Sequence, residues 1–442
     1  MTTVKSHLRQ RMPNSETSRV AAASTVGSVI EWYDYNLFAQ ASALVFPALF
    51  FPSFSPTAGT LASFATFAVA FVTRPIGALI FGQLGDRLGR KKTLIVTLLM
   101  MGISTIAIGL LPTYEQVGLL APVLLVVLRV VQGIALGGEW GGAALMAVEH
   151  SGHSRRGLFG AWPQVGSPAG NLTAAGMMTL AIAISNGGFV SWGWRIPFIA
   201  SAILVLVGLF IRLKVSESPV FEEMKRAGST AKNPIAEVFR HDKKRVLLAT
   251  GSRIGVDVAY YTFAVYSLSY LAGHLGLPRN VGLIALFVGA AVEFVTIPLF
   301  GVLSDAIGRR PVLAGGLGVL ALWGLAFFPL LNTGSQWLII LGFGVALGVG
   351  HGMAWSVMGS FFPELFGTRV RCTGASFSFQ LAGVIGGAPA PFIATMLTAS
   401  RWGTAGIGVY LVVACALSLA CALALPETYR GNIGESDQQS TV

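Results

Sequence analysis

Residues 82–91 read Gly82-Gln-Leu-Gly-Asp86-Arg87-Leu-Gly89-Arg90-Lys91, and residues 301–310 read Gly301-Val-Leu-Ser-Asp305-Ala-Ile-Gly308-Arg309-Arg310. Glycine, aspartate, glycine, arginine and a second base recur in register, half of the 442-residue chain apart. A repeat of fixed period announces duplicated architecture. The glycines permit a tight turn and the close approach of two helix ends. The aspartate is suited to accept from helix N-terminal amides and to pair with the neighbouring bases, and the bases hold this loop on the positive side of a membrane. Two readings stay open. The segment is either an anchoring turn or a latch that breaks as the halves move, built from Gly82, Asp86, Arg87, Gly89 and Arg90 in the first copy and from Asp305, Gly308 and Arg309 in the second.

Outward from the repeat, the composition says what surrounds it. The chain is 54% hydrophobic and 11% charged, with a mean hydropathy of +0.70. A soluble domain carries roughly 25% charged residues, so too few charges are present to cover a water-facing surface and lipid is expected to be the solvent. A crossing needs about 20 apolar residues. Runs near 20–45, 59–84, 92–112, 121–147, 157–185, 193–213, 246–273, 281–303, 312–332, 336–361, 371–399 and 403–425 meet that length, giving twelve transmembrane helices and an all-α integral membrane fold of two pseudo-symmetric six-helix bundles. The expected division is a tail at 1–19, a bundle at 20–213, a central loop at 214–245, a second bundle at 246–425 and a tail at 426–442.

The net charge of +11 suggests nucleic acid at first sight. The bases, however, sit in short loops beside apolar runs, as a topology signal does. They crowd one side, at Arg9 and Arg11, Arg87 to Lys92, Arg155 and Arg156, the central loop, Arg309 and Arg310, and Arg430, against Arg195, Arg279 and Arg401 on the other. Both termini and the central loop are therefore expected in the cytoplasm. The N-terminal residues are polar and basic, and no cleavable signal is expected. Cys372, Cys415 and Cys421 form no CxxC pair, and Glu149, His150 and His153 lack a fourth ligand, so neither a disulfide framework nor a metal site is expected. No cofactor motif occurs, and no GxxxxGK[ST] for ATP. Asn171-Leu-Thr matches a glycosylation sequon but lies within a span.

The repeat resembles the signature of the major facilitator superfamily, whose paired six-helix halves it implies. Other runs resemble that superfamily's metabolite:proton symporters. These are Glu31-Trp-Tyr-Asp34-Tyr35, Arg74-Pro75-x-Gly77, Arg129-Val-Val-Gln132-Gly133, Gly137-Gly-Glu139-Trp140-Gly141-Gly142, Trp192-Gly-Trp-Arg195-Ile-Pro197 and Glu217-Ser-Pro219-x-Phe. The resemblance covers nearly the whole chain, and its first half is most similar to shikimate transporters. It implies proton-coupled symport of a small organic acid by alternating access, with the coupling on a first-span acid and a fourth-span arginine, here Asp34 and Arg129, with Glu31 as competitor.

The residues support a polar interior independently, because ionisable groups at membrane depth cost several kcal/mol unless paired or wetted. Glu31, Asp34, Arg74, Arg129, Glu139, Arg253, Asp257, Glu293 and His351 all fall inside spans. Glu31 and Asp34 lie three apart on one helix face and are expected to exchange a proton that Arg129 senses, unless the trio is only a permanent ion pair. Gln132 and Glu139 share a face two turns apart. Arg253 and Asp257, four apart, either pair with each other or leave the arginine free for a carboxylate. Tyr260 and Tyr261, followed by Tyr266 and Tyr270, suit a hydroxylated solute or simply pack. Arg74, before Pro75, either holds freed carbonyls or meets solute, and His351 either accepts a proton or is a bonded packing residue.

The partners expected are an organic solute, protons and the bilayer, with no nucleic acid, in a bacterial-type inner membrane and with the monomer as the working unit. A shikimate-like or aromatic monocarboxylate leads, ahead of a di- or tricarboxylate and a zwitterionic osmolyte. An integral-membrane enzyme or sensor is the alternative class, and no nucleophile–base or metal cluster supports it.

Overall fold

The computed structural model describes residues 14–88, 90–137, 155–214, 240, 242–366 and 371–430. Twelve long helical segments fill them: α1 Asn14–Leu44, α2 Pro56–Leu88, α3 Arg90–Leu110, α4 Leu120–Gly137, α5 Arg156–Ile184, α6 Arg195–Lys214, α7 243–274, α8 Arg279–Ile307, α9 Arg309–Asn332, α10 Gln336–Leu365, α11 371–399 and α12 Gly403–Ala424. Segments α7, α10 and α11 each contain π-type turns, at Thr262–Tyr266, Gly344–His351 and Gly383–Gly387 among others, and such turns often mark functional positions in long helices. Among the described residues eight helices are long and apolar enough to cross a membrane by length and composition alone. Segments α1, α3, α5 and α7 fall outside that set, and three of them, α1, α5 and α7, carry much of the polar interior described below.

The duplication is visible in the packing. In the first half α1 lies on α5, α2 on α4 and α3 on α6. In the second, α7 lies on α11, α8 on α10 and α9 on α12, which is the same pairing shifted by six helices. The halves meet through α5 against α8 and α10, and through α11 against α2. Small residues make the tight pairs possible. A Cβ on Gly133 would stand 1.9 Å from Thr73 Oγ1, and one on Gly77 would stand 1.9 Å from the Ile134 carbonyl oxygen. The corresponding second-half pair closes at Gly289, where a Cβ would be 2.9 Å from the Phe343 carbonyl oxygen. With no hydrophobic force between helices in lipid, such close backbone contact is what holds them.

Apolar side chains face outward in stripes, with Ile203, Leu206 and Phe210 on α6 and Val409, Val413 and Leu417 on α12 all more than half exposed. A surface of this kind is covered by acyl chains, and the chain is a multi-pass membrane protein.

The repeated decapeptide departs from its expected form as a loop. Helix α2 runs through Leu88, and α8 and α9 are separated only by Gly308. Gly308 has φ of +106°, a conformation that disfavours any side chain. The second copy is thus a helix end, a one-residue hinge and a helix start.

Candidate functional site

At the centre, where the halves meet, three arginines surround a group of aromatic rings. Arg129 on α4 is fully buried, with its guanidinium carbon 4.0 Å from the Phe38 ring centre and 5.3 Å from those of Tyr35 and Phe67. Arg74 on α2 lies over the other neighbours, 4.6 Å from Tyr35 and 4.7 Å from Phe71. Arg253 on α7 stands 3.3 Å from Phe379 and 5.2 Å from Trp355. Tyr35 of the first half meets Tyr261 of the second at 6.0 Å. Flat, weakly hydrated guanidinium groups are the cations that aromatic faces hold best.

These cations are only partly satisfied. Arg129 Nη1 donates to Gln132 Oε1 at 3.0 Å, and Gln132 Nε2 donates to Thr105 Oγ1 on α3 at 2.8 Å. Arg253 Nη2 pairs with Asp257 Oδ1 at 2.9 Å, and its Nη1 donates to the Phe379 carbonyl. Among the described residues the Nε of Arg74, Nε and Nη2 of Arg129 and Nε of Arg253 have no partner, nor has Asp257 Oδ2. A buried donor left open costs about 1–3 kcal/mol, more when charged.

Asp34 on α1 is 1% exposed and has the Thr105 hydroxyl beside it, but among the described residues neither carboxyl oxygen is held in a well-formed hydrogen bond. No ion pair joins Arg129 to Asp34 among the described residues. Gln132, one turn along α4, occupies one guanidinium nitrogen, and the Phe38 ring covers the guanidinium face. Gln132 accordingly serves Arg129 and Thr105. Glu31 is half-buried and senses the positive charges of Arg74 and Arg212, whereas Asp34 senses that of Arg129. The two acids thus have separate surroundings, although three residues apart.

Arg253 and Asp257 do pair along their helix. His351 on α10 bonds Glu293 on α8, Nδ1 to Oε1 at 2.6 Å, with Glu293 fully buried and its Oε2 unpartnered. The imidazole lies against Tyr260, ring centres 4.6 Å apart, and stacks on Trp355 at 5.2 Å. Tyr260 donates to Asn36 of the first half at 3.0 Å, and Trp355 exchanges contacts with Gln164 on α5. Tyr266 and Tyr270 point elsewhere, bonding Thr398 and Asn332 within the second half. Sequence reading missed Asn36, Gln40, Gln164, Trp355 and Phe379. The recurrence of buried amides and aromatics in polar helices was the available signal.

One end of the molecule is fastened across the halves. Asp305 accepts from the amides of Gly157 at 2.7 Å and Leu158 at 3.1 Å, capping the first turn of α5. Arg309 pairs with Asp305 at 2.9 Å and forks onto Glu364, Nε to Oε2 at 3.3 Å and Nη2 to Oε1 at 3.2 Å. Glu427 caps α9 in turn, accepting from the amides of Arg309 and Arg310, each at 2.9 Å. Gly157 meets Gly301 so closely that a Cβ there would lie 2.4 Å from the Gly301 carbonyl oxygen. In the first copy, Gly82, Asp86 and Arg87 lie on the last turns of α2 and Arg90 opens α3. The surroundings of their side chains, like Gly89 and Glu139 entirely, lie outside the described residues. The opposite end holds a cavity of about 630 Å³ between the halves, lined by Leu44, Pro47, Phe51, Ala272, Gly276 and Arg279. Arg279 reaches across it to the Leu44 carbonyl at 3.2 Å.

Two six-helix halves around a buried polar centre, fastened at one end and hollow at the other, define a transporter of small solutes. Comparison with known proteins agrees. A family model described as sugar (and other) transporter matches residues 20–237, and that of the Major Facilitator Superfamily matches residues 255–441. The chain is 41% identical to the inner membrane metabolite transport protein YhjE of Escherichia coli K12, over 96% of this chain and 98% of that protein. It is 39% identical to the shikimate transporter of the same organism, over 94% and 96%, and 34% identical to its proline/betaine transporter, over 93% and 83%. A crystal structure of a D-xylose-proton symporter superimposes with a TM-score of 0.72 at 18% identity, over 93% of this chain and 98% of that one. The chain belongs to the Major Facilitator Superfamily.

Proposed function

We propose that the chain is a proton-coupled symporter of a small organic anion in a bacterial inner membrane, with both termini and the Asp305 latch in the cytoplasm and the Arg279 cavity facing outward. The observation that carries this reading is the partly satisfied set of Arg74, Arg129 and Arg253, with the buried, weakly bonded Asp34 carboxyl near Arg129.

Coupling follows from charge. Asp257 offsets Arg253 at 2.9 Å. With Asp34 ionised, its charge opposes that of Arg129. Protonating it frees a positive charge that attracts a carboxylate, and a bound carboxylate in turn favours the protonated acid, since linkage between two sites is reciprocal. Proton and anion then load together, and closure over the pair moves both. A relative named a shikimate transporter at 39% identity favours a cyclic monocarboxylate over a dicarboxylate. The relative named a proline/betaine transporter keeps a zwitterionic osmolyte as the second reading.

Purified protein in proteoliposomes decides between them. With an acid exterior, a labelled cyclic monocarboxylate should accumulate above equilibrium, and collapse of the proton gradient by an uncoupler should abolish the accumulation. Accumulation of betaine alone, or chemical change of the solute, would contradict the proposal.

A further inference from the structure

Asn36 and Gln40 lie one turn apart on α1, Asn171 lies on α5 and Tyr260 on α7, and the four form a single chain of hydrogen bonds. Gln40 Nε2 donates to Asn171 Oδ1 at 3.0 Å, Asn171 Nδ2 donates to the Tyr260 oxygen at 3.3 Å, and the Tyr260 hydroxyl donates to Asn36 Oδ1 at 3.0 Å. None is more than 3% exposed. The chain crosses from one half to the other and is incomplete at both ends, for among the described residues Asn36 Nδ2 has no acceptor and Gln40 Oε1 no donor.

A cross-link that served packing alone would be expected to close on itself, because buried polar atoms are normally paired. Here an open donor and an open acceptor project from one face of one helix. A hydroxyl is a small neutral group that both gives and takes a hydrogen bond through a single atom. A quaternary ammonium group, dressed in methyls, does neither. Along α7, Tyr260 stands seven residues from Arg253, two turns on the same face, so a solute held at the amide chain can extend toward the arginines.

We propose that Asn36, Gln40, Asn171 and Tyr260 form the subsite for the hydroxyl groups of the solute, making the cargo a hydroxylated carboxylic acid. This rests on the symporter reading above, which supplies the partner for the carboxylate. The subsite is a specificity device: an acid of the same ring without hydroxyls leaves the amides open and is rejected.

The test compares two probes in proteoliposomes, shikimate and cyclohex-1-ene carboxylate, with unlabelled glycine betaine as competitor. Wild-type protein should favour the hydroxylated acid by about tenfold or more in kcat/KM, and betaine should compete poorly. Asn36→Leu and the near-isosteric Gln40→Met should bring the ratio between the two acids close to one, by a greater loss for the hydroxylated acid. Equal transport of both acids by the wild type overturns the subsite while leaving the symporter reading intact, and this comparison needs no variant. Parallel loss of both acids in the variants, with the wild-type ratio retained, also overturns it, because a purely structural cross-link would act that way. Failure of the wild type to carry any carboxylic acid removes the symporter reading and the subsite with it.

Discussion

In the proposed mechanism Asp34 is the residue that carries the proton. It is buried, only the Thr105 hydroxyl stands by it among the described residues, and Arg129 is engaged by Gln132 and the Phe38 ring. An ionised carboxylate so placed is costly, so the group is suited to hold a proton and lose it only when the site opens. An asparagine in its place would imitate the protonated form permanently. Asp34→Asn should therefore abolish uphill uptake while retaining solute exchange, measured as counterflow in proteoliposomes; wild-type accumulation by that variant would remove Asp34 as the carrier. Local pairs were legible at this scale. Arg253 and Asp257 lie four apart, and helix geometry alone brings them together. The bond between Glu293 and His351 joins residues 58 apart, and that between Tyr260 and Asn36 joins residues 224 apart. Such partners depend on how each helix is rotated in its bundle, which hydrophobic periodicity does not report when lipid and protein faces are both apolar.

Among the elements, α5 stands out because it packs on α1 within its own half and on α8 and α10 across the interface. Its first turn is where Asp305 docks and where Gly157 lies against Gly301. Gly157→Val would insert a side chain where a single Cβ already falls 2.4 Å from backbone oxygen. The latch end should then fail to close. Uptake should fall by about tenfold or more, by analogy with the rate losses that small misplacements cause elsewhere, and a cysteine introduced by Ser360→Cys should become reactive to a membrane-impermeant thiol reagent supplied from the latch side. Unchanged uptake with that position still protected would deny the contact a gating role. The sequence repeat identified this element boundary because it is short and local. A loop is what its glycines and its run of bases suggest. Instead Ser304 bonds the Gly301 carbonyl and Arg309, Asp305 bonds Arg309 and the α5 amides, and the helix continues to Ile307.

For the molecule as a whole, the two halves are alike in pairing and joined asymmetrically along their length. The latch end is tied by Asp305, Arg309 and Glu364, while the far end holds a cavity crossed by the Arg279 contact. Between them lies the arginine and amide centre, buried on every side. The twelve-helix plan was readable because crossing a bilayer fixes helix length and duplication fixes their grouping. Which end is closed was not readable, since a carrier that alternates must hold two packings of nearly equal free energy.

In the proposed transport cycle these halves rock about the buried centre, opening one end as the other closes. Spin-label distances in a background with Cys372, Cys415 and Cys421 replaced by serine test it most directly, using Arg155→Cys with Ile307→Cys at the latch end and Ala48→Cys with Gly273→Cys across the cavity. Adding the acidic solute at low pH should lengthen the latch-end distance in part of the population and shorten the cavity distance in the same proportion. Two distances that stay fixed, or that lengthen together, would contradict alternating access about this site.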